Sequence, residues 1–163
     1  MADILCMELG FPVLLVNPRM VEVRGEHVPD VNLRVLQDAV FALLVVKPGR
    51  LTGAEVRFIR KHLRMRQADL ASTLNMANHS VVSQWESRED APAGMDYNTE
   101  VLLRVWMAAK IGQADHLLEL LEQKLKNLSA TDAREPLRVA MDHACASPKL
   151  HPPSKPGSRR VDA

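Results

Sequence analysis

The sequence predicts a mainly α fold: a five-helix domain centred on two short helices joined by a tight polar turn, preceded by a small module of one β-hairpin and one helix. Three observations carry this. Apolar residues recur at helical spacing over residues 31–44, 56–63, 70–74, 82–85 and 101–106. Stop and start signals separate those stretches, at Pro48-Gly49, Thr52, Asn75, Asn78 and Gly112. Strand-like alternation is confined to the first 29 residues. The chain therefore divides into an N-terminal α+β module (1–48), a helical domain (49–112), an amphipathic helix (113–128) and a largely disordered tail (129–163).

In the N-terminal module, Val13–Val16 is a short apolar run ended by the turn signal Asn17-Pro18-Arg19, and Met20–Arg24 alternates weakly before Gly25. The two runs suit a hairpin, which would not be stable alone. Pro29 then acts as a stop and Asp30 as an N-cap for a helix striped by Val31, Val35, Leu36, Ala39, Val40, Leu43 and Leu44. Pro48-Gly49 breaks it.

Thr52 with Glu55 forms a capping box for the next helix, with Val56, Ile59, Arg60 and Leu63 inward and Arg57, Lys61 and Arg64 outward. In the following pair, Leu70, Ala71 and Leu74 stripe one helix, Asn75 ends it, and Asn78 caps the next. There Val82 and Trp85 face one way, while Ser80, Ser83, Gln84 and Ser87 line the other. Residues 87–97 read as a polar loop, after which Asn98 or Thr99 caps a helix whose apolar residues include Val101, Leu102, Val105 and Trp106. Ala114, Leu118, Leu121, Leu125 and Leu128 follow coiled-coil spacing over two heptads, which suits packing on the chain's own body as well as dimerisation. Residues 135–144 suit a marginal helix, and the stretch from Pro148, with four prolines, suits disorder.

A formal charge of +1 excludes a uniformly basic polyanion binder, but Arg50, Arg57, Arg60, Lys61, Arg64 and Arg66 cluster against the single Glu55. Such a patch attracts phosphates without sequence preference. The two cysteines, Cys6 and Cys145, imply neither a disulfide framework nor a metal site and fit a reducing cytoplasm. The N-terminus lacks a basic segment ahead of an apolar core, so no signal peptide is expected, and the run 39–46 is too short to span a bilayer. His27, His62, His79, His116, His143 and His151 are scattered, which reads as surface histidine rather than metal ligation. Phosphate loops, G-x-S-x-G and H-E-x-x-H are absent, so neither an enzyme nor a cofactor is expected.

The ridge of Ser80, Ser83, Gln84 and Ser87 carries no charge, unlike an ordinary solvated helix face. It suits base edges: Gln pairs bidentately with adenine, and Ser donates or accepts. Gln67, Leu70, Ala71, Leu74, Val82, Trp85 and Glu86, in the pattern Q-x-x-L-A-x-x-L…V-x-x-W-E, resemble the Xre/Cro-type helix-turn-helix domain of phage-repressor-like regulators over residues 51–106. The turn between the paired helices is one residue longer than in that family. The resemblance implies that Gln67 fixes a phosphate, that Arg88 makes another phosphate contact, and that Arg60 pairs with Glu86. Together these readings assign base contacts to His79, Ser80, Ser83 and Gln84, and phosphate contacts to Gln67, Asn78, Arg88, Arg57, Lys61 and Arg64.

The expected function is a cytoplasmic transcriptional regulator, a homodimer reading a palindromic operator in double-stranded DNA and repressing its own or a neighbouring operon. The alternative is an antitoxin or adaptor that holds a protein partner through residues 1–48. In layout the chain is similar to MqsA-type antitoxins. It lacks the cysteine pairs that hold zinc in that family, so neither zinc nor the toxin partner carries over.

Overall fold

The computed structural model describes residues 3–113 and 135–141. In chain order these form β1 (Ile4–Cys6), β2 (Val13–Val16), β3 (Met20–Val23), β4 (Glu26–Pro29), α1 (Leu33–Val45), α2 (Gly53–His62), α3 (Gln67–Thr73), α4 (Ser80–Glu86), α5 (Tyr97–Lys110) and β5 (Leu137–Ala140). This is an α+β arrangement, and it corrects the mainly α expectation: two small sheets stand beside the helices. The stretch 114–128 and the tail beyond 141 lie outside the described residues.

The expected hairpin between Val13–Val16 and Met20–Arg24 does not form. Instead β2 is the middle strand of a sheet ordered β1-β2-β5, antiparallel to β1 and parallel to β5. Its side chains demand this position: Val13 and Leu15 are fully buried on the core face, and a central strand needs ladder partners on both sides. The register sets Ile4 and Val139 beside Leu15, and Cys6 and Leu137 beside Val13, on that same face. Residues 137–140, expected within a marginal helix, are therefore a strand whose period-2 pattern buries Val139 and leaves Arg138 outside. Strand β3 pairs with β4 through a two-residue turn at Arg24-Gly25. Both turn residues have positive φ (54° and 83°), as a type I′ hairpin turn requires.

Asn32, rather than Asp30, caps α1, accepting from the amides of Arg34 and Val35. The helix buries Leu36, Val40, Phe41, Leu44 and Val45. In α2 the Thr52/Glu55 capping box closes, with Thr52 Oγ1 accepting from Glu55 N at 3.2 Å and Glu55 Oε2 accepting from Thr52 N at 3.0 Å. The first turn of α2 abuts the end of α4. A Cβ at Gly53 would lie 2.4 Å from the carbonyl oxygen of Trp85, so only glycine permits this approach. α3 ends in a Schellman motif: Asn75 adopts φ 57°, its amide donates to Ser72 O, and Met76 N donates to Ala71 O at 2.8 Å.

Asp96, rather than Asn98 or Thr99, caps α5. Its Oδ1 accepts from Thr99 N at 2.9 Å and its Oδ2 from Thr99 Oγ1 at 2.8 Å. These two bonds hold its carboxyl below the usual aspartate range. The folded state thus favours the ionised form, so the cap contributes fully above the unfolded-state pKa and fades as pH falls through the lower folded value. Asp96→Ala is expected to cost about 0.5–2 kcal/mol in urea unfolding at pH 7, with the difference from the parent shrinking in acid.

One hydrophobic core runs through the described residues, joining Phe11, Val13 and Leu15 to Val40, Phe41 and Leu44 and onward to Ile59, Leu70, Val82, Leu103 and Met107. At the junction of α1, α2 and α5 it encloses charge. Arg104, fully buried, donates from Nη1 to the carbonyls of Leu44, Val45 and Lys47 (3.2, 3.3 and 2.6 Å) and from Nη2 to Gly49 O (2.7 Å) and Glu100 Oε1 (3.2 Å). It thereby caps the C-terminus of α1 and holds the Pro48-Gly49 corner. Glu100 also receives Leu51 N at 2.6 Å and pairs with Arg50 at 2.5 Å. Lys47 meets the buried Glu55 at 2.8 Å. Burial pushes the Glu55 carboxyl up despite the pull of Lys47, and pushes the Arg104 guanidinium down despite Glu100.

Candidate functional site

α4 is a two-turn helix set against both α2 and α3. Its anchoring side is closed: Val82, Trp85 and Glu86 are buried. Glu86 is the hub of this anchorage. Its carboxylate takes Arg60 Nε at 2.5 Å and Nη2 at 3.2 Å, and Gln67 Nε2 at 3.0 Å. One buried carboxylate therefore ties α2 and the first residue of α3 to the end of α4, and the guanidinium and amide neutralise and satisfy it.

On the opposite side, His79, Ser83, Gln84 and Ser87 are exposed and Ser80 is half-buried. Ser87 Oγ donates to the carbonyl of Gln84 at 2.7 Å, so its hydroxyl is engaged within the helix. The Gln84 amide makes no hydrogen bond to another described residue. Asn78, an exposed residue, accepts at Oδ1 from Ser80 N at 3.0 Å and fixes the start of α4. Val81 is half-buried against the core.

The phosphate-contact candidates fare unequally. Gln67 has its amide nitrogen committed to Glu86. Arg57, expected to point outward, donates to Glu86 O and to Glu89 Oε1, both at 3.0 Å. Its backbone position one turn ahead of Arg60 puts it over the end of α4, where those acceptors lie. Within the basic cluster, Arg50, Arg57, Arg60 and Arg66 are all in ion pairs, with Glu100, Glu89, Glu86 and Asp69 respectively. The patch is thus largely neutralised internally. Lys61 and Arg64 are exposed and without ion-pair partners among the described residues. Arg64 is the left-handed residue (φ 56°) that ends α2. Arg88 is exposed, its guanidinium lying over Gly94.

His62, read as a surface residue, belongs instead to an aromatic row. Its ring stacks on Phe41 (4.5 Å between centroids) and Phe58 (5.7 Å), Phe58 meets Phe11 edge-on, and Nε2 lies 3.3 Å from Asp38. The chain's three phenylalanines converge here, a grouping their scattered positions conceal.

Among the described residues, no group of His, Cys, Asp or Glu is placed to hold a metal ion, and no helix is long and apolar enough to cross a membrane. No protein-family model, curated protein or solved structure matches the chain.

Proposed function

We propose that the chain is a sequence-specific DNA-binding regulator in which α4 enters the major groove. The observation that carries this reading is the two-sidedness of α4: Ser83 and Gln84 stand free in solvent while Val82, Trp85 and Glu86 lock the helix from behind. A helix held so rigidly presents its amide and hydroxyls with little conformational loss on binding. In this reading His79, Ser80, Ser83 and Gln84 face base edges, and Asn78, Arg64 and Arg88 meet phosphates. A single two-turn helix reads only a few base pairs, so two copies on a palindromic site, one DNA turn between half-site centres, would supply the missing specificity. Repression follows if such a site overlaps a promoter.

The test is site selection from random duplexes, followed by affinity measurements on Gln84→Ala. The variant should lose about 1–3 kcal/mol of preference at one base position and leave the others unchanged. Unaltered preference at every position would refute the assigned face.

A second reading, a protein partner held by the N-terminal module, draws on one observation. Among the described residues β1 is an edge strand, and Leu5 and Met7 on and beside it are 55% and 57% exposed. An edge without a partner among those residues, flanked by exposed apolar side chains, favours addition of a partner strand.

A further inference from the structure

A cleft of about 380 Å3 opens where the turn between β1 and β2 meets α1 and α2. That volume falls within the range of small-molecule sites, roughly 300–1,000 Å3. Charge is divided between its walls. Arg57 and Lys61 line it from α2, the Arg57 guanidinium being held by Glu86 O and Glu89, and Glu8 lines it from the turn. Leu9 and Phe58 supply apolar surface between them. Lys61 has no ion-pair partner among the described residues, so its charge is available to a ligand. The α2 wall is tied to α1, because His62 stacks on Phe41 and lies 3.3 Å from Asp38.

We infer that this cleft binds a small organic monoanion, a carboxylate carried on an apolar body. Lys61 attracts a single negative charge, and Arg57, already paired with Glu89, is a second cation that an incoming carboxylate would share. Glu8 repels a second negative charge, which disfavours polyphosphates and the continuous charge of a nucleic-acid backbone. The apolar body would lie on Leu9 and Phe58. Occupancy also reaches α4, because Arg57 donates to the backbone oxygen of Glu86 and pairs with the exposed Glu89. A carboxylate that draws Arg57 from Glu89 changes the support beneath the end of that helix. This regulatory consequence rests on the DNA-binding reading; the ligand site itself does not.

The test is a titration of the full chain with benzoate and with hexanoate, followed by amide NMR shifts, with benzamide and inorganic phosphate as controls. Saturable shifts centred on Leu9, Lys61 and His62 are expected with the carboxylates, with at least fivefold weaker binding of either control. Lys61→Gln should weaken carboxylate binding about tenfold, and Glu8→Gln should tighten it at least twofold. Both positions are exposed, so neither variant threatens the fold. The assignment is overturned if neither carboxylate shifts the cleft, if phosphate binds equally well, or if both variants leave the dissociation constants unchanged. In a second arm, saturating benzoate should change affinity for a selected duplex at least threefold. Unchanged affinity would overturn the coupling to α4, whereas failure of the chain to bind any duplex would strike the DNA reading and leave the cleft result standing.

Discussion

Replacing Arg104 with methionine should lower the stability of the chain by about 3–5 kcal/mol, read as a drop in urea midpoint at pH 7. Against a total folding free energy of roughly 5–15 kcal/mol, that brings the variant close to unfolding. The size of the effect follows from how many groups depend on one guanidinium. Leu44, Val45, Lys47 and Gly49 all offer it their carbonyls at a helix end and the corner that follows, and of these Leu44 O also receives the amides of Val46 and Lys47. Methionine fills the space and donates nothing. The carbonyls of Val45, Lys47 and Gly49 then lose this donor, and among the described residues Glu100 keeps Arg50 and Leu51 N. Arg104→Lys should recover less than half of the loss, because one ammonium cannot span the two sets of acceptors that Nη1 and Nη2 serve. A methionine variant within about 1 kcal/mol of the parent would show that the carbonyls find other donors and that Arg104 is dispensable.

Many local signals were legible in the sequence, although the caps of α1 and α5 fell on other residues than expected. The long-range pairings were not, apart from Arg60 with Glu86, which the family resemblance supplied. The capping box at Thr52 and Glu55, the left-handed Asn75 and the inward Val82 and Trp85 each depend on residues within a few positions of one another. Short-range steric and hydrogen-bonding rules cover such cases. β5 is different: it reaches β2 across more than a hundred residues and is only four residues long, too short for its alternation of Leu137, Arg138 and Val139 to mark it as a strand. The α5 face was concealed for another reason. Counting apolar residues selects Val101, Leu102, Val105 and Trp106, yet Leu102 is 45% exposed and the helix turns Glu100 and Arg104 inward. Hydrophobicity ranks side chains by transfer energy, whereas this junction is decided by carbonyls that need donors. The basic cluster misleads similarly, because the carboxylates that neutralise it come from residues 69, 86, 89 and 100. The exposed Ser83 and Gln84 were accessible to sequence reasoning because their spacing against Val82 and Trp85 defines two faces of one short helix.

Removing residues 1–48 should abolish cooperative folding of what remains, seen as loss of a sigmoidal urea transition and of near-ultraviolet dichroism in the fragment 49–163. The sequence divides the chain at this point, but the core does not. α1 contributes Leu36, Val40, Phe41, Leu44 and Val45 to the same cluster that holds Ile59, Leu103 and Met107, at about 1.5–3 kcal/mol for each fully buried side chain. Polar losses compound this. Without Lys47 the carboxylate of Glu55 is left without its cation, Arg104 loses three of its carbonyl acceptors, and His62 loses the ring of Phe41. Glu55 belongs to the capping box that starts α2, and α2 carries the Arg60 that secures Glu86 at the end of α4. Loss of the N-terminal module therefore propagates through two ion pairs to the helix that bears Ser83 and Gln84. The consequence for experiment is specific: failure of the fragment to bind duplex DNA would report unfolding, so the N-terminal module is better probed by point substitution at the exposed Leu5 or Met7. A fragment that unfolds cooperatively would instead establish that α2 to α5 stand alone and that the shared core is redundant.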